Sequence, residues 1–198
     1  MVGRGARAGG SVSDLATRGG IGDDLAYLRA TYPQPDWRTH ANFGQLADFW
    51  LHIHASLRAE AAAVETSLTA FRDGRLDAPA FQRRFVPDLN RFLQHLNAHH
   101  QIEDSAYFPK FRALDPRMAR GFDLLDADHH AIHDALDRNV EGARTLLAAL
   151  GGAGALDRAA ADYAERSRTL LTMLDRHLAD EEDLVIPAML EHGERRVT

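Results

Sequence analysis

Two stretches of the chain repeat one pattern. His99-His100-Gln101-Ile102-Glu103 and His177-Leu178-Ala179-Asp180-Glu181 each place a glutamate four residues after a histidine, and a proline, Pro109 or Pro187, follows each glutamate by six residues. On a helix four residues make about one turn, roughly 6 Å of rise with both side chains on one face, so an imidazole and a carboxylate can reach a common point. The two stretches lie about 78 residues apart, and a fainter pair, Ile53-His54 and Ile132-His133, shows a similar separation. This is the pattern of a doubled helical hairpin, with too few copies for a solenoid.

Apolar residues at three- and four-residue spacing mark four long helical segments, each bounded by Gly, Pro or Asp. The first covers about 42–71, with Phe43, Leu46, Trp50, Leu57, Val64 and Leu68 on one stripe, and ends at Asp73-Gly74. The second covers about 79–114, with Pro87 expected to mark a kink or a fresh start. The third runs over about 116–150 and stops at Gly151-Gly152; the fourth runs over about 156–191 and stops at Gly193. No strand pattern competes. Four long helices on short links predict an all-α, up-down-up-down four-helix bundle over residues 39–198. Residues 1–38 read as an N-terminal extension. To about Gly22 it is rich in Gly, Arg and Ser and is expected to be loose and flexible; a short helix is expected over about 23–31, stopped by Pro33 and Pro35.

Composition narrows the chemistry. There is no cysteine, which removes disulfides, thiolate zinc sites, iron–sulfur clusters and a cysteine nucleophile together, so any metal must sit on nitrogen and oxygen. A net charge of -6 argues against a nucleic-acid partner. No continuous apolar stretch reads as a secretory signal or a membrane span, and the expected location is cytoplasmic. Histidine is abundant, with eleven in 198 residues, and most of them fall on the helical segments. Placing so many ionisable groups on the apolar stripes of four helices would cost several kcal/mol each by desolvation (order of magnitude) unless a cation satisfied them.

Imidazole and carboxylate donors without sulfur admit iron, manganese, zinc, nickel or copper. A zinc-protease motif is excluded, because His129-His130-Ala131-Ile132-His133 carries histidine where that motif needs its glutamate. Ferritin-like di-iron sites are richer in carboxylates and use Glu-x-x-His; here histidine precedes glutamate by four and predominates.

Over about 42–191 the sequence resembles the hemerythrin family, including its HHE cation-binding members. The resemblance rests on His54, on His99-His100-x-x-Glu103, on His129-x-x-x-His133 and on His177-x-x-x-Glu181. It implies two iron ions joined by a bridging oxo or hydroxo group. Glu103 and Glu181 would bridge the irons, with His129, His133 and His177 on one and His54 and His99 on the other. That arrangement leaves one coordination position open. Glu182 stands as the alternative to Glu181, and His52 as the alternative to His54.

Around these residues, His100 and His130 are expected to face outward. Trp50, Phe122, Leu125, Met173 and Leu174 are expected to wall the centre. His95 and Tyr107 share a four-residue stripe with His99 and Glu103, either as core residues or as proton donors. The favoured function is a metal-binding protein that takes dioxygen or a related small oxidant at the open position. The alternatives are an enzyme consuming peroxide or nitric oxide and an iron- or oxygen-responsive interaction module.

Overall fold

A computed structural model describes residues 14–152 and 155–198. It is all-helical, with no strand among the described residues. Five α-helices carry the fold: α1 (Gln45–Arg72), α2 (Ala78–Ile102), α3 (Phe108–Leu114), α4 (Ala119–Ala149) and α5 (Leu156–His192). A π-helical turn, Glu103–Tyr107, joins α2 to α3, so the two act as one rod. α1 packs on α2 and on α5, and α4 packs on α5. The result is a helical bundle. No helix among the described residues is long and apolar enough to cross a membrane.

The helix ends follow local chemistry in some places and tertiary contacts in others. Asp77 caps α2 by accepting from the Ala80 amide at 2.7 Å, with Pro79 in the first turn. α1 ends at Asp73, and Gly74 follows with a φ of 71°, a conformation that favours glycine. The start of α1 has no local cap. Instead the Glu194 carboxylate, near the other end of the chain, accepts from the amides of Gly44, Leu46 and Ala47 at 3.0, 3.1 and 2.8 Å. A carboxylate at a helix N-terminus satisfies orphan amides and meets the positive end of the dipole.

Pro87 does not break α2, which is continuous across it. Pro87 and Arg83, whose carbonyl loses its amide partner, are both exposed, so the freed carbonyl is open to solvent. The interruption comes later, in the π turn just ahead of Pro109. The extra residue in that turn shifts the helix phase by one position. Phe108 therefore enters the core with Phe111, while Tyr107 is only half-buried, and the even stripe through His99, Glu103, Tyr107 and Phe111 is broken.

The core divides into two apolar clusters. One gathers Leu57, Phe81, Phe85, Phe92, Leu96, Ile132, Tyr163, Leu174 and Leu178. The other gathers Trp37, Trp50, Phe108, Phe111, Phe122, Leu125, Leu184 and Met189. Between Trp50 and Leu57 on α1, between Leu96 and Phe108 on the α2–α3 rod, between Leu125 and Ile132 on α4 and between Leu174 and Leu184 on α5 lie histidines and carboxylates. A polar layer thus crosses the bundle between two dry clusters.

The chain ahead of α1 differs from its expected looseness. Residues 1–13 lie outside the described residues, but Leu15, Arg18 and Ile21 are buried at 2%, 7% and 3% exposure. The short helix expected over 23–31 is a series of turns, with Leu25, Ala26 and Leu28 buried, and a 3-10 helix, Gln34–Thr39, follows Pro33. The apolar residues spaced through 15–28 are enough to dock the segment on the bundle, although its Gly content hides them in composition.

Candidate metal centre

Four rods supply the polar layer: His54 from α1; His99, His100 and Glu103 from α2 and the π turn; Asp128 and His129 from α4; His177 and Glu181 from α5. Each glutamate turns one oxygen toward each of two histidine pairs. Glu181 Oε1 lies 3.3 Å from His54 Nε2, and its Oε2 lies 3.4 Å from His177 Nε2. Glu103 Oε1 lies 3.0 Å from His99 Nε2, and its Oε2 lies 3.5 Å from His129 Nε2. His129 Nε2 and His177 Nε2 are 3.1 Å apart. The donor atoms sort into two groups, each within 4.8 Å: His54, His99, Glu103 and Glu181, and His129, His177, Glu103 and Glu181.

These atoms point at one another without bonding well. His54 Nε2, His99 Nε2, both Glu103 oxygens and Glu181 Oε2 are buried and have no hydrogen-bond partner. Buried polar atoms are ordinarily paired, and leaving one unmet costs on the order of 1–3 kcal/mol. Imidazole nitrogens and carboxylate oxygens converging in this way, most of them without a hydrogen-bond partner, are the kind of donor set that fits a cation.

The outer nitrogens are held. His54 Nδ1 meets Glu182 Oε1 at 2.9 Å, and Arg58 Nη1 donates to the same oxygen at 2.7 Å. His129 Nδ1 meets Asp104 Oδ1 at 2.7 Å. His177 Nδ1 lies 3.5 Å from Asp128 Oδ2. Carboxylates behind histidines fix ring orientation and tautomer, leaving Nε2 free to face inward. Trp50 Nε1 donates to Glu181 Oε1 at 2.6 Å, which anchors that carboxylate from α1.

Charge is strongly perturbed in the layer. Burial would lower His54, but the Glu181 and Glu182 carboxylates outweigh it and raise its pKa to about 9. Burial, reinforced by neighbouring histidines, depresses His99 to about 3 and His129 to about 4. Glu103 is pushed well up by burial and by the Glu181 charge beside it. Burial alone would also raise Glu181, yet His54, His99 and His177 hold it well below the usual carboxylate range. The two carboxylates of the layer are thus pushed in opposite directions by their surroundings.

Six of the seven residues singled out in the sequence, His54, His99, Glu103, His129, His177 and Glu181, have donor atoms in these groups. His133 does not. It is half-buried, and its ring stands edge-on to His100 at 5.3 Å between centroids. Of the alternatives, His52 is exposed on α1, and Glu182 backs His54 from outside. His130 is exposed as expected, but the expectation that His100 faces outward is wrong. His100 is fully buried, stacked on His129 at 3.9 Å with both ring nitrogens unpaired, and it forms a third donor group with His129 and His177. The sequence carried a signal for this: His100 continues the stripe Phe85, Leu89, Phe92, Leu96 and aligns with the apolar Leu178 in the repeat.

Trp50, Phe122, Leu125, Met173 and Leu174 are all buried around the layer. A cavity of about 130 Å³ lies between α1 and the α2 end, lined by Phe49, Trp50, Ile53, His95, Ala98, His99, Ile102, Glu103 and Tyr107. Phe49 and Ile102 at its rim are 58% and 54% exposed. His95 Nδ1 sits 3.1 Å from Glu60 Oε2.

Comparison with curated proteins and with solved structures returned no match. A family model described as the hemerythrin HHE cation-binding domain matches residues 45–189, from the first turn of α1 almost to the end of α5. With the match spanning most of the bundle and every rod of the polar layer, the chain belongs to the hemerythrin HHE cation-binding domain family.

Proposed function

We propose that this chain is a di-iron protein that takes dioxygen or a related small oxidant at one iron, on rods arranged up-down-up-down. The observation that carries the reading is the pair of carboxylates, each with one oxygen toward each histidine pair. In this reading His54 and His99 hold one ion, His129 and His177 the other, and Glu103 and Glu181 reach both. His100 stands nearest the second pair and is the candidate for its further donor, the place the family resemblance assigns to His133. A bridging oxo or hydroxo group belongs to the same proposal. Iron held by these residues would supply redox chemistry and a Lewis-acidic centre for a small ligand. The chain's own residues do the rest: Glu182, Asp104 and Asp128 orient the rings, Trp50 anchors Glu181, and the apolar clusters keep bulk water out.

Metal analysis of the purified protein tests the centre, with about two irons per chain expected by the two-group geometry. One zinc, or none, would overturn it. For the ligand, the reduced protein exposed to oxygen should develop a visible absorption band that fades when oxygen is removed. Rapid irreversible oxidation would remove the reversible-binding reading.

The cavity favours a second reading, turnover of peroxide or nitric oxide, because His95 and Tyr107 share its lining with His99 and Glu103. Both side chains can donate a proton to a molecule held there. Steady-state peroxide consumption that is lost in Tyr107→Phe or His95→Ala supports it. An iron-loaded wild type without turnover rejects it.

A further inference from the structure

The segment ahead of α1 crosses the bundle at the level of the polar layer. Leu15 packs into one apolar cluster and Ile21 into the other, and Arg18 lies between them with its side chain 4% exposed. Its guanidinium spans two helices. Nη1 donates to Asp128 Oδ1 at 2.7 Å and Nη2 to Asp128 Oδ2, while Nε and Nη2 donate to Asp180 Oδ2 at 2.8 and 2.6 Å. The Ile21 amide donates to Asp180 Oδ1 at 2.7 Å. Gly20, at a φ of +125°, makes the turn that lets Arg18 and Ile21 reach this same carboxylate.

Asp128 is the carboxylate behind His177, at 3.5 Å from its Nδ1, and His177 turns Nε2 toward Glu181 and His129. The arrangement parallels Arg58–Glu182–His54 on the other side of the layer. The difference lies in where the arginine comes from. Arg58 falls within the residues matched by the family model, whereas Arg18 falls before their start at residue 45.

We infer that Arg18 is a positioning residue for His177. By fixing Asp128 through a two-pronged contact, it sets the orientation and tautomer of the imidazole, so the metal centre of this chain depends on the segment that precedes the family domain. A planar guanidinium can hold two carboxylates on different helices at once, which a point-like ammonium does less well. Without it, the buried carboxylates of Asp128 and Asp180 repel, and only the 3.5 Å contact with His177 itself remains to hold Asp128 in place. The inference rests on the metal-centre reading, but its structural half, the state of the His177 ring, can be read without metal.

The experiment follows metal release to a chelator from the loaded full-length protein, together with the imidazole nitrogen NMR signals of His177 in the metal-free protein. Arg18→Met is expected to speed release about 10- to 100-fold, the usual effect of losing a partner behind a ligand. It should also shift the His177 tautomer, and Arg18→Lys should restore part of both. Arg29→Met is the control, since it removes the segment's contact with Asp183 on α5 and leaves Asp128 untouched. Release within about twofold of wild type in Arg18→Met would overturn the inference. So would an unchanged His177 signal, or equal acceleration by Arg29→Met. Should Arg18→Met fail to fold, Asp128→Asn must reproduce the fast release at unchanged helicity, and normal release there overturns the proposal. A wild type that holds no metal would refute the metal reading, and the His177 signal would still decide what Arg18 does.

Discussion

The first half of the bundle, α1 with the α2–α3 rod, and the second half, α4 with α5, carry copies of one motif but enclose them differently. The residue after each glutamate does the same work in both: Glu182 holds His54, and Asp104 holds His129. Yet the Glu182 side chain is 10% exposed and backed by Arg58, whereas that of Asp104 is 40% exposed. Near the two prolines the backbone also differs, with a π turn ahead of Pro109 and unbroken helix through Pro187. The histidine partner is shifted as well. The sequence pairs His54 with His133, but in space the counterpart of His54 is His129, one turn earlier on α4. A duplicated pattern keeps residue types at a spacing; burial and pairing are set by what packs against each copy.

The largest expected difference separates the two glutamates themselves. In metal-free protein Glu181→Gln leaves the buried His54 without its main counter-charge and should cost about 3–5 kcal/mol in denaturant unfolding. Glu103→Gln should instead raise the midpoint, because it removes a carboxyl disfavoured by burial and by Glu181. Equal and same-signed shifts would contradict the asymmetry. Both variants should lose metal.

Next comes the comparison of the outer carboxylates. Glu182→Ala should weaken metal affinity about 10- to 100-fold, and Asp104→Ala should fall at the low end of that range, since water reaches His129 Nδ1 through the more exposed position. Competitive chelation measures both, and a larger effect from Asp104 would reverse the ranking of the halves.

The pH dependence of metal-free stability sharpens the contrast within one layer. His99 and His129, depressed to about 3 and about 4, refuse protons that the unfolded chain accepts below its ordinary value of 6.5. Their contribution is whole above 6.5 and drains away as pH falls toward those values. His54 works in the opposite sense. Its proton, held up to about 9, contributes stability that is whole below 6.5 and is lost as pH rises through about 9. The unfolding midpoint should therefore decline on both sides of neutrality. A flat profile from pH 4 to 9 would refute the assigned charges.

The smallest expected effect is also informative. His133→Ala should change metal affinity by no more than about twofold, against at least about tenfold for the buried His100→Ala. Isothermal titration of both variants would reveal a reversal, which would return the ligand role to His133.

Much of the bundle was legible because amphipathic periodicity and helix stops are local. The four segments lie within a few residues of the observed helices, and the four-residue spacing of His99 with Glu103 and of His177 with Glu181 survives as contact between them. A fresh start at Pro87 does not occur: a proline signals a lost amide wherever it falls. Whether the helix breaks depends on whether water can serve the freed carbonyl. Composition alone makes residues 14–22 look loose, because it weighs glycine and arginine and not the few apolar side chains that dock them.

By itself the sequence determined that four helical segments carry histidine among their apolar stripes, and that on two of them a glutamate follows one turn later on the same face, since a helix's period relates its residues without reference to any neighbour. Only the tertiary structure decided which of those groups meet. It brought His129 but not His133 beside the glutamates, buried His100, set Glu182 behind His54 and brought Arg18 across to Asp128. Contacts between side chains distant in sequence depend on how helices rotate and slide against one another, and that is settled by packing of the two apolar clusters on either side of the polar layer.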